Sequence, residues 1–349
     1  MKRILFLHPF VKDVDSFFDY LGLENNIFNK DDFVWDEENP EFVFISEHIY
    51  FSKKYHIKFK ELFDAKRIFI FHGGEYLYPD FNIYDYALGY PKLLSFKDRY
   101  ARFPVVIMMR NTLNNKIKRL TLEEAKSLIN SRKFCNFIYS NPNAHPIRDN
   151  LFYEISKYKM VDSYGKHLNN MGNQSSRNDK NWGKLSIELK SQYKFTIACE
   201  NGIGEGYTTE KLLTTFNANS IPIYWGNPNV AEEYNSKAFI NCHDYDSIDK
   251  IINRIKEIDE NDDLWCKMVA TPWQTDEQKK ASEFEISNYY EFIANIFNNK
   301  SKSIVKRPFG TFIEKYTNHY FAQNNFPNIF TRGVDYIKRK INNFTNKQR

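Results

Sequence analysis

The chain contains 349 residues and carries a formal net charge of +5, with 27% charged and 42% hydrophobic residues. This length is comfortable for two α/β domains and long for a single core. No apolar segment is long enough to cross a bilayer. The four cysteines are widely spaced and form no C-x-x-C pair, which argues against a disulfide framework and predicts buried, reduced thiols.

Short apolar strands alternate with helical patterns along the chain, which is typical of parallel sheets with crossover helices. In the first half, strands are predicted near Arg3–Leu7, Phe42–Ile45 and Arg67–Phe71. The first apolar run is stopped by His8 and Pro9, which is too early for the apolar core of a signal peptide. This run is therefore expected to be a buried first strand.

A capping box, Thr121-Leu122-Glu123-Glu124, separates the two halves and opens a helix that is expected to end near Lys133. A second set of strands is predicted after it, at Phe134–Ser140, Met160–Tyr164, Tyr193–Cys199, Ile221–Trp225 and Ala238–Asn241. We assign residues 1–130 to an N-terminal domain, 131–300 to a C-terminal domain and 301–349 to a tail. The pattern predicts that both domains are Rossmann-like α/β units that face one cleft.

The stretch 195–228 reads as strand, glycine loop, helix and strand, an order that builds a nucleotide pocket. Phe195–Cys199 is the apolar strand. Three glycines follow it at alternate positions, Gly202, Gly204 and Gly206. They let the backbone turn tightly and come close to a ligand. Thr208 or Thr209 can cap the next helix, whose free N–H groups would face a diphosphate, provided that Glu205 points away.

Two features would serve a reaction at such a nucleotide pocket: a base near its mouth, and positive charge to neutralise a diphosphate. Glu75 follows a predicted strand and a Gly-Gly turn, so its carboxylate is expected to project into the cleft; a solvated turn carboxylate is the alternative. The positive charge of Lys211 opposes the dipole at the start of its helix, which is unfavourable unless an anion is bound. The negative charge of Glu210 at the same end of the helix compensates the dipole in the ordinary way. Arg177 lies in a polar loop, where arginines are usually solvated, but its fork of donors suits two phosphate oxygens.

Two Asp-x-Asp pairs could hold a divalent metal, Asp13-Val14-Asp15 and Asp244-Tyr245-Asp246. Each pair precedes an apolar-periodic helix, where aspartate is a favoured cap. Because Lys211, Arg177 and a helix N-terminus are available for the diphosphate, we predict that no metal is obligatory. His243 stands apart from other ligand types and is interpreted as structural.

Several longer motifs are much more specific than these patterns. They are Glu200-Asn201, Gly206-Tyr207-Thr208-Thr209-Glu210-Lys211 and Ile221-Pro222-Ile223-Tyr224-Trp225-Gly226, preceded by Gly74-Glu75, Asp98-Arg99-Tyr100, Ser140-Asn141-Pro142-Asn143 and Ser176-Arg177-Asn178. In this order they resemble the α1,3/4-fucosyltransferases, glycosyltransferase family 10. The resemblance covers most of the chain between Arg67 and Asp244.

This resemblance implies the GT-B architecture, in which two Rossmann-like domains face a central cleft. It also implies an inverting enzyme that moves L-fucose from GDP-β-L-fucose to a hydroxyl, with O3 the expected position, of an N-acetylglucosamine or glucose unit in an oligosaccharide or lipopolysaccharide. The family pattern also implies roles for six residues. Glu75 is the general base, and Glu210 lies beside the fucose. Lys211 and Arg177 bind phosphate, Tyr207 contacts the diphosphate, and Asn201 is a neighbouring polar ligand.

The tail is strongly basic, with eleven lysines and arginines but only two carboxylates between Lys300 and Arg349. Apolar residues recur there at helical spacing, at Val334, Ile337, Ile341 and Phe344. This predicts a short basic amphipathic helix that suits an anionic membrane surface; a solvated helix, or one packed on the enzyme, is the alternative. We expect a cytoplasmic protein with peripheral contact on the inner membrane face. Nucleic acid is an improbable partner because the positive charge is confined to the tail.

Two other functions stay open at this point. The same fold could use another nucleotide sugar, since Tyr207 and Glu210 do not exclude one. A carbohydrate-binding relic without activity would be expected to lack Glu75 or Lys211, and both are present. The sequence assigns neither the acceptor glycan nor the oligomeric state.

Overall fold

A computed structural model of the protein describes residues 1–64, 66–92, 98–109, 117–172 and 182–298. The predictions for Arg177 and for the tail at 301–349 fall outside these residues. Within them, the chain forms two parallel sheets with helices between the strands. None of the helices in the described ranges is both long enough and apolar enough to cross a membrane.

The first sheet has six parallel strands in the order β2-β1-β3-β4-β5-β6. They are β1 (Lys2–Leu7), β2 (Phe33–Trp35), β3 (Phe42–Ser46), β4 (Ile68–His72), β5 (Tyr86–Gly89) and β6 (Tyr100–Arg102). The helices of this part are α1 (Val14–Leu21), α2 (Lys53–Leu62) and α3 (Val105–Met108), with 3₁₀ turns at Lys30–Asp32 and Glu47–Tyr50. The sequence analysis predicted β1, β3 and β4 but missed the three short strands.

The second sheet has five parallel strands in the order β11-β10-β9-β7-β8. They are β7 (Lys133–Phe137), β8 (Val161–Ser163), β9 (Tyr193–Cys199), β10 (Ile221–Trp225) and β11 (Ile240–Asn241). The helices are α4 (Leu122–Leu128), α5 (Ile147–Tyr158), α6 (Trp182–Lys190), α7 (Glu210–Asn217), α8 (Ile248–Asp259), α9 (Asp262–Ala270) and α10 (Asp276–Asn298). All five predicted strands are confirmed, and β9 and β10 have the predicted bounds.

Both sheets are covered on their two faces, which explains their apolar sequences. Every residue of β3, β4 and β10 is buried. Strands that are buried on both faces read as continuous hydrophobic runs, not as alternating patterns. The longer strands were predictable for this reason, whereas the missed strands β2, β5 and β6 have only three or four residues each.

Two of the predicted helix caps are confirmed and one is wrong. Thr121 forms the capping box of α4 with Glu124, but the helix ends at Leu128 and only a 3₁₀ turn continues it to Ser131, short of the predicted end. Asp13 caps α1 in a reciprocal pair with Ser16. The cap of α8 is Ser247, not an aspartate of the Asp244–Asp246 pair, because the Ser247 hydroxyl accepts the backbone N–H of Lys250.

The strand order places a topological switch point in each sheet. In the second sheet, β7 connects through α5 to β8 on one side, while β9 connects through α7 to β10 on the other. In the first sheet the reversal lies between β1 and β3. Open α/β sheets bind ligands in the crevice that such a reversal leaves at the carboxyl ends of the strands.

An apolar cluster joins the two sheets. It combines Tyr90, Val105 and Met109 from the first part of the chain with residues of the second part that include Tyr207 and Tyr224. Arg102, at the end of β6, reinforces this junction. Its Nη2 donates to the carbonyl of Gly206 at 2.7 Å and to Glu233 at 2.7 Å, and its Nη1 donates to Glu285 at 3.1 Å. The junction therefore fixes the glycine loop against the first sheet.

Two helices pack across the boundary predicted at residues 130 and 131. Ala125 and Ile129 belong to the core of the second sheet, although they precede the boundary. The long helix α10 follows the second sheet in sequence but packs on the first, where Phe297 makes edge-to-face contacts with Phe33 and Phe42. The last described helix thus returns to the N-terminal core.

Truncating Phe297 tests this return. Phe297 is 4% exposed, so Phe297→Ala should lower the free energy of unfolding by roughly 3–5 kcal/mol, the usual effect of removing a buried aromatic ring. The matched control is Phe284→Ala on the same helix, because Phe284 is 69% exposed. Its effect should stay within about 0.5 kcal/mol. Urea denaturation measures both, and equally small effects would mean that α10 does not belong to the core.

Candidate active site

The Glu75 carboxylate bridges the two halves of the protein. Glu75 follows β4 after the Gly73-Gly74 turn, at the carboxyl edge of the first sheet. Its Oε1 accepts a hydrogen bond from Nδ2 of Asn201 at 3.0 Å, and its Oε2 accepts one from the Tyr207 hydroxyl. Asn201 and Tyr207 belong to the glycine loop of the second sheet. The structure thus brings Glu75 next to two residues that lie more than a hundred positions later in the sequence.

A second carboxylate supports the turn that carries Glu75. The backbone N–H of Gly74 donates to Oε2 of Glu47 at 2.9 Å, and a Cβ at Gly74 would lie only 2.6 Å from the other Glu47 oxygen. Burial raises the pKa of Glu47, while the bond from Gly74 acts in the opposite direction. Glu47 was not predicted as a site residue. It follows β3, so only the strand order reveals that it reaches the turn after β4.

Glu200 organises the start of α7 from a fully buried position. Its Oε1 accepts the backbone N–H of Thr209 at 2.7 Å, and its Oε2 accepts the Thr209 hydroxyl at 2.6 Å. Thr209 is the cap residue, but its side chain makes no capping bond, so the predicted threonine cap is right in position and wrong in mechanism. The hydroxyl donates to Glu200 instead of accepting a helix amide.

The Lys211 ammonium lies between two carboxylates. Its Nζ donates to Glu200 at 3.0 Å, to the Thr209 hydroxyl at 2.9 Å and to Glu210 at 3.3 Å. Burial by itself would lower the pKa of Lys211, but Glu200 and Glu210 outweigh it and raise that pKa above the ordinary value. Lys211 is therefore a fixed cation at neutral pH, with all three of its donors engaged.

Two glycines of the loop are required by close contacts with the first half of the protein. Gly206 has φ +82°, and a Cβ there would lie 2.6 Å from the carbonyl of Tyr90. A Cβ at Gly204 would meet the ring of Tyr76 at 2.3 Å, whereas nothing lies within 4 Å of one at Gly202. The predicted close approach is thus between two parts of the chain. Glu205 is exposed.

A cavity of about 310 Å³ lies at the switch point of the second sheet, lined by the segment after β7, by α6 and by the start of α7. Asn201, Glu210 and Lys211 line it, as predicted donor ligands should. Its volume is at the lower end of the usual range for small-molecule sites. A larger cavity of about 980 Å³ between β6 and α10 contains none of the predicted site residues.

Two further cations line this cavity and were not predicted, Lys190 and Arg148. Lys190 is 6% exposed, and its Nζ donates to the Thr214 hydroxyl at 2.6 Å. Burial lowers the pKa of Lys190 to about 8. Arg148 is 1% exposed, and its Nε and Nη1 have no hydrogen-bond partner among the residues that the structure describes. A lysine or arginine on a helix is usually solvated, so sequence gave no signal for either.

The Asp-x-Asp pairs are engaged elsewhere. Asp13 caps α1, and Asp15 pairs with Lys30 at 2.8 Å. Asp244 accepts a hydrogen bond from Asn241, and Asp246 pairs with Lys250 at 2.8 Å. His243 accepts the backbone N–H of Gly226 at 3.3 Å and stacks on Trp225. No group of three potential metal ligands occurs in the part of the chain that the structure describes.

The charge state of Lys190 can be tested by its effect on stability. In the unfolded chain Lys190 keeps its proton up to a pKa near 10.5, but in the folded chain only up to about 8. Between these values the unfolded state binds more protons, so the stability of the wild type should rise with pH relative to Lys190→Met. The free energy of unfolding of Lys190→Met, taken relative to that of the wild type, should therefore decrease by roughly 2–3 kcal/mol between pH 7 and pH 10.

Chemical denaturation at both pH values measures this difference. Lys184→Met is the matched control, since Lys184 is an exposed lysine on the same helix. The difference in free energy of unfolding between Lys184→Met and the wild type should stay nearly constant with pH. A constant difference for Lys190→Met as well would show that Lys190 does not titrate as a buried cation.

Sequence profiles of two known domains match the chain. The profile "Glycosyltransferase family 10 (fucosyltransferase) C-term" matches residues 129–304, slightly more than half of the chain. The profile "Alpha-(1,3)-fucosyltransferase FucT N-terminal domain" matches residues 10–109. The protein therefore belongs to glycosyltransferase family 10, the fucosyltransferase family, as the motifs around Glu200 and Lys211 indicated.

Individual relatives agree with this assignment. The chain is 33% identical to alpha-(1,3)-fucosyltransferase FucT of Helicobacter pylori over 236 residues, which cover 59% of this chain and 47% of that protein. It is 32% identical to GDP-fucose protein O-fucosyltransferase 3 of Xenopus tropicalis over 140 residues, which cover 38% of this chain and 29% of the relative. The matches thus span less than half the length of either relative.

Solved structures confirm the predicted GT-B fold. An α1,3-fucosyltransferase structure superimposes with a TM-score of 0.68 at 23% sequence identity, covering 88% of this chain and 93% of the other. A structure of α1,3-fucosyltransferase with GDP-fucose gives a TM-score of 0.63 at 23% identity, with coverages of 86% and 92%. At this identity the likeness establishes the architecture of two α/β domains.

Proposed function

We propose that the protein is an inverting α1,3-fucosyltransferase that transfers L-fucose from GDP-β-L-fucose to O3 of an N-acetylglucosamine or glucose unit in an oligosaccharide or lipopolysaccharide. One observation carries the proposal. The Glu75 carboxylate, at the carboxyl edge of the first sheet, meets Asn201 and Tyr207 at the mouth of the glycine loop of the second sheet. This arrangement suits a base on one domain and a donor site on the other.

The donor site fits the cavity at the switch point of the second sheet. Asn201, Glu210 and Lys211 line this cavity, and a structure of similar fold was solved with GDP-fucose. All three donors of Lys211 are engaged, so a diphosphate oxygen must replace one of them. The longest of these bonds, 3.3 Å to Glu210, is the natural one to exchange. The freed Glu210 carboxylate would then hold fucose hydroxyls.

The chemical step follows from these positions. Glu75 takes the proton from the acceptor hydroxyl as its oxygen forms a bond to the anomeric carbon of fucose. The bond between that carbon and the diphosphate oxygen breaks on the opposite side, so the β linkage of the donor becomes an α linkage. GDP leaves with its new negative charge beside Lys211 and, as the family pattern implies, Arg177. Glu210 stabilises the positive charge that develops on the sugar.

Tyr207 acts in this scheme as a donor that holds Glu75. Burial, together with Glu200 and Glu75, raises the pKa of Tyr207, so the phenol stays protonated at neutral pH. Its hydroxyl contacts Glu75 and not the cavity that holds Lys211. The contact of Tyr207 with the diphosphate stays a prediction from the family pattern.

A glycan acceptor is better supported than a protein acceptor. The profile that matches residues 10–109 is the N-terminal domain of an α-(1,3)-fucosyltransferase, and this region carries Glu75. GDP-fucose protein O-fucosyltransferase 3 of Danio rerio matches 63% of the chain but at only 25% identity, below the 33% identity of the Helicobacter pylori α-(1,3)-fucosyltransferase. The lipopolysaccharide acceptor, the cytoplasmic location and the contact of the basic tail with an anionic membrane stay predictions that rest on the sequence.

The role of Glu75 predicts a specific kinetic defect. Glu75→Gln should slow the chemical step by roughly 10²–10⁴-fold, the usual contribution of a positioned general base. The affinity for GDP-fucose should stay close to normal, because the base acts on the acceptor. Single-turnover rates and calorimetry measure the two effects. Glu205→Gln is the control, since Glu205 is an exposed carboxylate of the glycine loop, and it should react like the wild type. A near-normal rate for Glu75→Gln would remove Glu75 as the base.

Metal independence is the second expectation for this site. Fixed cations and the start of α7 would neutralise the diphosphate, so binding of GDP-fucose and turnover should be unchanged in excess EDTA. Calorimetry and an activity assay with and without the chelator measure this. Loss of both, restored only by Mg²⁺ or Mn²⁺, would show that a metal takes part in donor binding.

A further inference from the structure

The switch-point cavity extends beyond the residues assigned to diphosphate and fucose. One face of α6 forms its wall, with Trp182, Leu185 and Leu189 at helical spacing. Leu185 is 46% exposed although it lines a cavity. An apolar wall that ends in a few polar groups is the usual character of a small-molecule site. The wall is suited to cover the flat face of a nucleotide base.

Lys190 is the polar group at the end of this wall. Side chains of a helix lean toward its N-terminus, so Lys190 at the last position of α6 reaches back along the apolar face. Its ammonium is buried and makes a single hydrogen bond among the described residues, to the Thr214 hydroxyl at 2.6 Å. An ammonium has three donors, and the described residues engage only one of them, so a ligand edge that accepts two hydrogen bonds would suit it.

The position of Thr214 indicates which part of a nucleotide Lys190 would meet. Thr214 lies on α7 one turn beyond Glu210, and its hydroxyl donates to the Glu210 carbonyl at 2.7 Å. Four residues of helix separate the two by about 6 Å along the axis. If the diphosphate binds at Lys211, Lys190 is a turn deeper, on the side of the nucleoside.

Arg148 adds a second cation to the lining of the cavity. Its Nη2 donates to the carbonyl of Asn141 at 2.5 Å and its guanidinium lies 4.5 Å from the centre of the Tyr139 ring. Nε is 3.6 Å from Asp149, but within the described part of the chain neither Nε nor Nη1 has a hydrogen-bond partner. Among the described residues, both buried cations keep donors that make no hydrogen bond. A ligand whose edge presents hydrogen-bond acceptors would suit them.

We propose that Lys190 selects the guanine base of the donor by donating to O6 and N7, while the apolar face of α6 covers the ring. This inference rests on the proposed function, since it assumes a GDP-linked donor. Guanine presents two acceptors on this edge, whereas adenine replaces O6 with an amino group that donates. An ammonium therefore pairs with guanine and opposes adenine, and it specifies the nucleotide by charge and hydrogen bonding.

Calorimetry with GDP, IDP and ADP tests the assignment. IDP keeps O6 and N7 but lacks the 2-amino group, so the wild type should bind GDP and IDP well and ADP weakly. Lys190→Met should weaken the binding of GDP and of IDP by roughly 10–100-fold, the range for the loss of one contact to a base. Its affinity for ADP should not fall. Lys190→Arg should retain part of the preference, and Lys184→Met on the same helix should bind like the wild type.

The outcomes separate the possible roles of Lys190. Equal weakening of GDP and ADP by Lys190→Met would place Lys190 on the phosphates and overturn the assignment, as would unchanged GDP affinity. Wild-type protein that binds ADP as tightly as IDP would overturn it without any variant. Wild-type protein that binds no GDP at all would instead overturn the proposed function, on which this inference depends.

Discussion

The site depends on one contact between the two halves of the protein, in which Glu75 accepts hydrogen bonds from Asn201 and Tyr207. A base on one sheet and a nucleotide site on another can cooperate only if the two sheets are held at a fixed distance. The apolar cluster around Tyr90 and Tyr207 supplies this constraint. Arg102 adds to it by binding the carbonyl of Gly206. If Glu75 is the base that we propose, the junction is part of the catalytic geometry, since a reacting group must be positioned within about an ångström.

The second sheet contributes a set of buried charges arranged around α7. Glu200 fixes the start of the helix and the Lys211 ammonium together, so the cation is in place before a ligand arrives. Fixed charges that need no reorganisation are the most effective way to stabilise a departing phosphate. The arrangement lowers stability where burial disfavours a charge, as at Lys190. Such a cation is explained best by a ligand that supplies acceptors.

The sequence predicted what local patterns encode. Strands β9 and β10 and the Thr121 cap were found because continuous apolar runs and capping boxes are contained within a few residues. Long-range relations were missed. Gly204 and Gly206 face Tyr76 and Tyr90, and Glu47 reaches the Glu75 turn, only because strands distant in sequence are neighbours in space. Family motifs brought out the donor residues, but no motif marked the buried Lys190.

The central claim is that a base on the first sheet directs an acceptor oxygen to fucose held by the second, on the side opposite the diphosphate. The most direct test is to incubate the protein with GDP-β-L-fucose and a panel of oligosaccharides that carry N-acetylglucosamine or glucose, and to determine the product by mass spectrometry and NMR. The account predicts a fucosylated product whose new linkage is α, attached at O3. A β-linked product, or hydrolysis of the donor with no transfer to any glycan, would contradict it.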